Sequence, residues 1–140
     1  MFNKNFTLES LNKMGEGTLV EHIGIEFIEI GEDFLKAKMP LDHRTKQPQG
    51  LLHGGASVAL SETLGSVAAY GCIDATKKFC VGLEINANHI KGVKEGYVTG
   101  TAKAVHIGGK THVWEIKITN EKDELVCISR ITMAILDLKN

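Results

Sequence analysis

The sequence predicts an α+β domain: one curved antiparallel sheet wrapped around a single long helix. Three observations point there. Residues 47–72, QPQGLLHGGASVALSETLGSVAAYGC, carry one formal charge, Glu62, and from about Gly54 onward suit a helix buried inside protein. Alternating apolar and polar segments flank that stretch, two before it and four after it. Short turn signals separate the segments, with no internal repeat, low-complexity tract or linker, so residues 1–140 read as one domain.

Taken in order, Thr7 is placed to cap a short helix, LESLNKM, that ends at Gly15. HIGIEFIEIGEDFLKAKMP reads as a hairpin. Its first strand runs through Ile23, Ile25 and Phe27 to Ile30, Gly31-Glu32-Asp33 turns the chain, and FLKAKMP alternates Lys36 and Lys38 with Leu35, Ala37 and Met39. LDHRTKQPQG is a polar loop, and the long helix is expected from about Gly54 to Cys72. Four strands follow. FCVGLEINANHI is rich in Val, Ile and Leu, and GYVTGTAKAVHIG is β-branched early. KTHVWEIKITN puts Trp114, Ile116 and Ile118 on one face and Val113, Glu115, Lys117 and Thr119 on the other. ELVCISRITMAILDL is the last. A sheet of this kind leaves edge strands, which are commonly managed by pairing, so a dimer is expected.

Composition excludes several function classes. The formal net charge is −1 and the longest basic run is Lys77-Lys78, which gives no footprint for nucleic acid. Cys72, Cys80 and Cys127 are odd in number and lack metal-ligand spacing, as expected of reduced thiols in a cytoplasmic protein. His22, His43, His53, His89, His106 and His112 show no HxxxH or HxH spacing, so no metal is expected. The N-terminus has no continuous apolar run, so no signal peptide is expected. Residues 51–73 contain Glu62, Ser57, Ser61, Thr63, Ser66 and four glycines, which is poor material for a bilayer, and no membrane partner is expected.

The lone carboxylate is the first candidate for chemistry. A buried unpaired carboxylate costs several kcal/mol unless hydrogen-bonded, paired or held neutral. Three and four residues from Glu62 stand Ala59, Val58, Gly65 and Ser66, so only Ser66 offers a local hydrogen bond. Two readings stay open: a desolvated carboxylate tuned for catalysis, or a helix face turned to solvent or to a partner's basic group. His53-Gly54-Gly55 sits where the helix starts. Glycine there allows close approach, and free N–H groups of a first turn suit a developing negative charge. The same tripeptide also fits ordinary turn chemistry. Gly54 and Glu62 stand about 12 Å apart along a helix axis, so they line one elongated pocket or, in a dimer, meet across the interface.

QPQGLLHGGASVALSETLGSVAAY, followed by VGLEINANHI and VHIGGKTHVWEIKI, closely resembles hotdog-fold acyl-CoA thioesterases. The resemblance runs from about Phe6 to Leu136. It is nearest to the 4-hydroxybenzoyl-CoA thioesterase-like branch that includes 1,4-dihydroxy-2-naphthoyl-CoA hydrolases of menaquinone biosynthesis. It implies a hotdog fold, homodimers often paired into tetramers, sites at subunit interfaces, and coenzyme A as part of the substrate with no separate cofactor. It implies that Glu62 attacks the thioester carbonyl or activates a water, and that the Gly54 N–H polarises the thioester oxygen. Gln47 and His53 match residues that orient the carbonyl and the water, and Ser66 one that assists the glutamate or leaving group. Contacts to coenzyme A fall at Gly82, at His89, Ile90, Lys91 and Gly92, and at His106, Ile107, Gly108, Gly109, Lys110 and Thr111, with Lys91 and Lys110 as phosphate contacts. Val67 points to CoA rather than carrier-protein thioesters, and Gln49 stands where related sequences commonly carry an aromatic residue. Two alternatives remain, a hotdog hydratase or dehydratase and a non-catalytic acyl-CoA binding module. The Gln47…His53-Gly54-Gly55…Glu62 arrangement fits hydrolysis better than hydration, and the chain carries no fused regulatory domain.

Overall fold

A computed structural model describes residues 1–139. Helix α1 (Leu8–Met14) forms where its caps demand: the Ser10 N–H donates to Thr7 Oγ1, the Thr7 N–H donates to Ser10 Oγ, and Gly15 closes the last turn. The next stretch departs from the sequence reading. Thr18 caps a single further turn, α2 (Leu19–His22), and the strand expected from Ile23 is shorter, β1 (Glu26–Ile30). Gly24 is the reason. Its φ of 78° bends the chain, so Ile23 and Ile25 are buried as anchors of a turn rather than as strand residues.

The other elements begin and end within one residue of expectation: β2 (Phe34–Pro40), α3 (Gly54–Gly71), β3 (Lys78–His89), β4 (Tyr97–Ile107), β5 (Thr111–Thr119) and β6 (Leu125–Asp137). All neighbouring strands are antiparallel, in the order β1-β2-β4-β5-β6-β3. The alternation in β5 holds, with Trp114, Ile116 and Ile118 wholly buried beneath α3. Leu60, Leu64 and Ala68 face them from the helix. Each such leucine contributes about 1.5–3 kcal/mol by leaving water. Glycine sets the distance between the layers: a Cβ on Gly100 would lie 2.5 Å from Leu64 Cδ1.

The sheet covers α3 on one side only, which leaves Glu62 on a face turned outward, one of the two readings open for that carboxylate. Ser57, Leu60, Ser61, Leu64, Gly65, Ala68 and Ala69 are buried, whereas Glu62 and Tyr70 are exposed. Beside Glu62 runs β3, an edge strand of 12 residues that exposes Phe79, Val81 and Leu83.

Candidate active site

The loop before α3 is fixed by Thr45, which is 1% exposed. Its hydroxyl donates to Pro40 O at 2.8 Å, and its carbonyl accepts the His53 N–H at 2.8 Å. Gln47 sits at the base of a tight turn. Its N–H donates to Leu51 O, its carbonyl accepts from the Gly50 N–H, and Gly50 has φ 85°. The Gln49 N–H donates to Gln47 Oε1. A backbone N–H pairs only with the amide oxygen, so the Gln47 amide nitrogen is the end left free. Gln47, Leu51, Gly54, Ser57, His89 and Lys91 line a cleft of about 280 Å³. Ser57, one turn after Gly54, escaped the sequence reading; its signal is a serine on the helix face that meets the cleft. Gln49 is exposed and does not line this cleft.

The start of α3 has four N–H groups without helical partners. His53 Nδ1 accepts the Gly55 N–H at 2.8 Å, and His53 O accepts from Ala56 and Ser57. Only the Gly54 N–H has no acceptor among the described residues, and Gly54 opens on the cleft. The His89 ring packs against it, with Nε2 2.9 Å from the position a Gly54 Cβ would take. The cleft is therefore lined by two residues with an unpaired donor, the Gly54 N–H and the Gln47 amide nitrogen.

Glu62 lies elsewhere. It is exposed, and its Oε1 stands 3.1 Å from where a Gly82 Cβ would be, so Gly82 borders the carboxylate. The Ser66 hydroxyl does not partner Glu62, contrary to the local hydrogen bond expected; it donates to Met133 Sδ at 3.7 Å because its rotamer faces the sheet. Val67 is half-buried against the core. Burial pushes Cys72 up to about 11 and raises Cys80 and Cys127, so all three stay protonated near neutral pH.

The residues implied as coenzyme A contacts fall at two ends of one chain. His89 pairs with Cys127, whereas Gly82 pairs with Met133, which pairs with His112 beside the β4–β5 hairpin. Seven residues of strand, roughly 23 Å, separate the two ends. His106, Ile107, Gly109, Lys110 and Thr111 are exposed at the Gly82 end, and Ile90, Lys91 and Gly92 are exposed at the His89 end. Two of these expectations change in detail. The Gly108 N–H is not free, because it closes the hairpin onto Thr111 O at 2.8 Å. Lys91 is not a lone cation, because its ammonium donates to Glu124 Oε2 at 2.8 Å. That bond and one from Asn120 hold the Glu124 carboxyl below the usual carboxylate range.

The antiparallel sheet around one long helix, with donors at the helix start and a carboxylate two turns on, is the arrangement of a thioester hydrolase. The family model of the Thioesterase superfamily matches residues 49–127, and the chain belongs to that superfamily, with its hotdog fold. It is 54% identical to a 1,4-dihydroxy-2-naphthoyl-CoA hydrolase of Escherichia coli, over 97% of this chain and 99% of the other. A mutant thioesterase from Pseudomonas aeruginosa superposes with a TM-score of 0.96 at 45% identity, covering 98% of this chain and 99% of the other. A Staphylococcus aureus protein, also a mutant, superposes with a TM-score of 0.83 at 45% identity, covering 86% and 99%.

Proposed function

We propose that this protein hydrolyses acyl-CoA thioesters of aromatic acids to the free acid and CoA, in a site built by two copies of the chain. One observation carries the reading: Glu62 and Gly54 border β3 toward its two ends, along an unpaired edge. Glu62 stands at Gly82 and Gly54 at His89. Antiparallel pairing of β3 with β3 of a second copy, about a two-fold axis near the middle of the strand, brings the Gly82 end of one copy beside the His89 end of the other. Glu62 of one copy then faces the Gly54 cleft of the other. The same pairing brings His106–Thr111 of one copy beside His89–Gly92 of the other, so the two groups of coenzyme A contacts share one site.

In that site the thioester oxygen accepts from the Gly54 N–H and the Gln47 amide, each such donor being worth roughly 3–4 kcal/mol of barrier. Pairing of β3 removes Glu62 from water, which sharpens it as a nucleophile or as a base for water. The CoA thiolate leaves without a strong general acid. An aromatic acyl group is supported by the name of the Escherichia coli relative, and Val67 supports CoA rather than a carrier protein as the thiol carrier. Structures of the Staphylococcus aureus relative were made with a glutamate or a glutamine changed to alanine; those two lie fifteen residues apart, as Gln47 and Glu62 do here.

The test follows release of free CoA from benzoyl-, naphthoyl- and aliphatic acyl-CoAs. Glu62→Gln should lower kcat by about 10³-fold or more, because it removes the reacting group. A Glu62→Gln protein that hydrolyses at near the wild-type rate sinks the assignment. Faster turnover of aliphatic than aromatic esters refutes the substrate class alone.

A further inference from the structure

We infer that His53 is a positioning residue whose imidazole serves as the cap of α3 and thereby leaves the Gly54 N–H as the one free donor of the first turn; it exchanges no proton with the substrate or water. The inference rests on the site proposed above and changes the role that family resemblance gives this histidine.

The geometry is specific. His53 is the N-cap, with φ −66° and ψ 129°. Its Nδ1 accepts the Gly55 N–H at 2.8 Å. An imidazole nitrogen that accepts this bond has no proton of its own to give, so Nδ1 is committed to the cap. The ring is exposed and does not line the cleft of Gln47 and Gly54. The rest of the residue is committed as well. Its N–H donates to the carbonyl of buried Thr45, and its own carbonyl accepts from Ala56 and Ser57. Glycine at 54 and 55 brings no side chain to hold this turn, so the peptide before Gly54 is oriented by what His53 bonds. Without the Nδ1 acceptor, the Gly55 N–H is a second free donor and the first turn can rotate. A small misplacement of a transition-state donor costs rate more than it costs ground-state binding.

The experiment compares His53→Ala, His53→Asn and wild type on benzoyl-CoA, with Glu62→Gln in parallel. Asparagine carries an oxygen that can take an N-cap bond but has no imidazole. His53→Ala should lower kcat roughly 10- to 100-fold with KM within about threefold. His53→Asn should recover kcat to within about threefold of wild type, as a cap but no acid–base group would. Thr7→Ala, which removes the cap of remote α1, controls for stability: it lowers Tm and leaves kcat alone. His53→Asn that matches His53→Ala in kcat while regaining Tm overturns the inference and gives the ring a direct role at the carbonyl or the water. Wild-type kcat in His53→Ala also overturns it. If His53→Ala does not fold, His53→Asn against wild type decides on the same criterion. These outcomes leave the Glu62 reading standing, whereas undiminished Glu62→Gln activity removes that reading and this inference together.

Discussion

The two edges of the sheet are built in opposite ways. At one edge β1 is five residues long, shifts register between Phe27 and Glu29, and carries Glu26 and Glu29 in ion pairs with Lys38 and Lys36. Helix α1 covers it, and the Asn12 amide both accepts from the Phe27 N–H and donates to Phe27 O. These are the devices by which a protein blunts an edge. At the other edge β3 is 12 residues long and exposes Phe79, Val81 and Leu83, with Leu83 63% exposed. Among the described residues no strand pairs with its outer edge. In the proposed two-copy site the long apolar edge beside Glu62 is the one that pairs, while the edge-blunting features lie on the opposite side of the sheet.

That contrast can be broken first at β3. Leu83→Lys combined with Asn86→Lys sets like charges across the proposed two-fold axis. The double variant should sediment as a monomer and lose at least about 10²-fold in CoA release, since one chain keeps Glu62 and Gly54 apart. A monomer with undiminished activity would show that a single chain holds the whole site. Gly82→Ala is a smaller perturbation of the same edge. Its Cβ would meet Glu62 Oε1 at 3.1 Å, so the carboxylate must shift by a few tenths of an ångström. The expected result is roughly a tenfold fall in kcat with an unchanged sedimentation coefficient and little change in Tm. At the blunted edge, Asn12→Ala removes both bonds to Phe27 and should cost about 1–3 kcal/mol in urea titrations, with specific activity per folded molecule intact. Smallest of all, Lys36→Ala breaks an exposed pair with Glu29 and should move stability by less than about 1 kcal/mol, with no effect on assembly.

The fold was legible because its signals are local. Period-two alternation in β5, the cap at Thr7 and the nearly charge-free run of α3 each depend on a few neighbouring residues. Helix α2 was missed because four residues, Leu19–His22, give too short a window for periodicity, and the bend at Gly24 hides within an apolar series. For the candidate site, the sequence offers a set of residues but not where each one stands. Gly54, Gln47 and His89 do converge, through the Thr45-anchored loop and the end of β3. Glu62 stands apart from them in one chain, and no spacing in the sequence shows which flank of a helix the sheet leaves open. The partners of Lys91 and Gly108 were equally hidden, since the bond to Glu124 crosses 33 residues and the Gly108 bond depends on hairpin register.

The N-terminal segment gives the molecule a built-in optical reporter. Trp114 is the single tryptophan, wholly buried, and its indole N–H has no acceptor among the described residues. Phe2 stacks toward it at 6.5 Å between ring centroids and on Phe6 at 4.6 Å, while Asn3 ties the segment to Gly71 and Ile73. Fluorescence from that one indole therefore registers whether the first few residues are seated, and undocking them will redden its emission while the far-ultraviolet circular dichroism of the sheet stays the same.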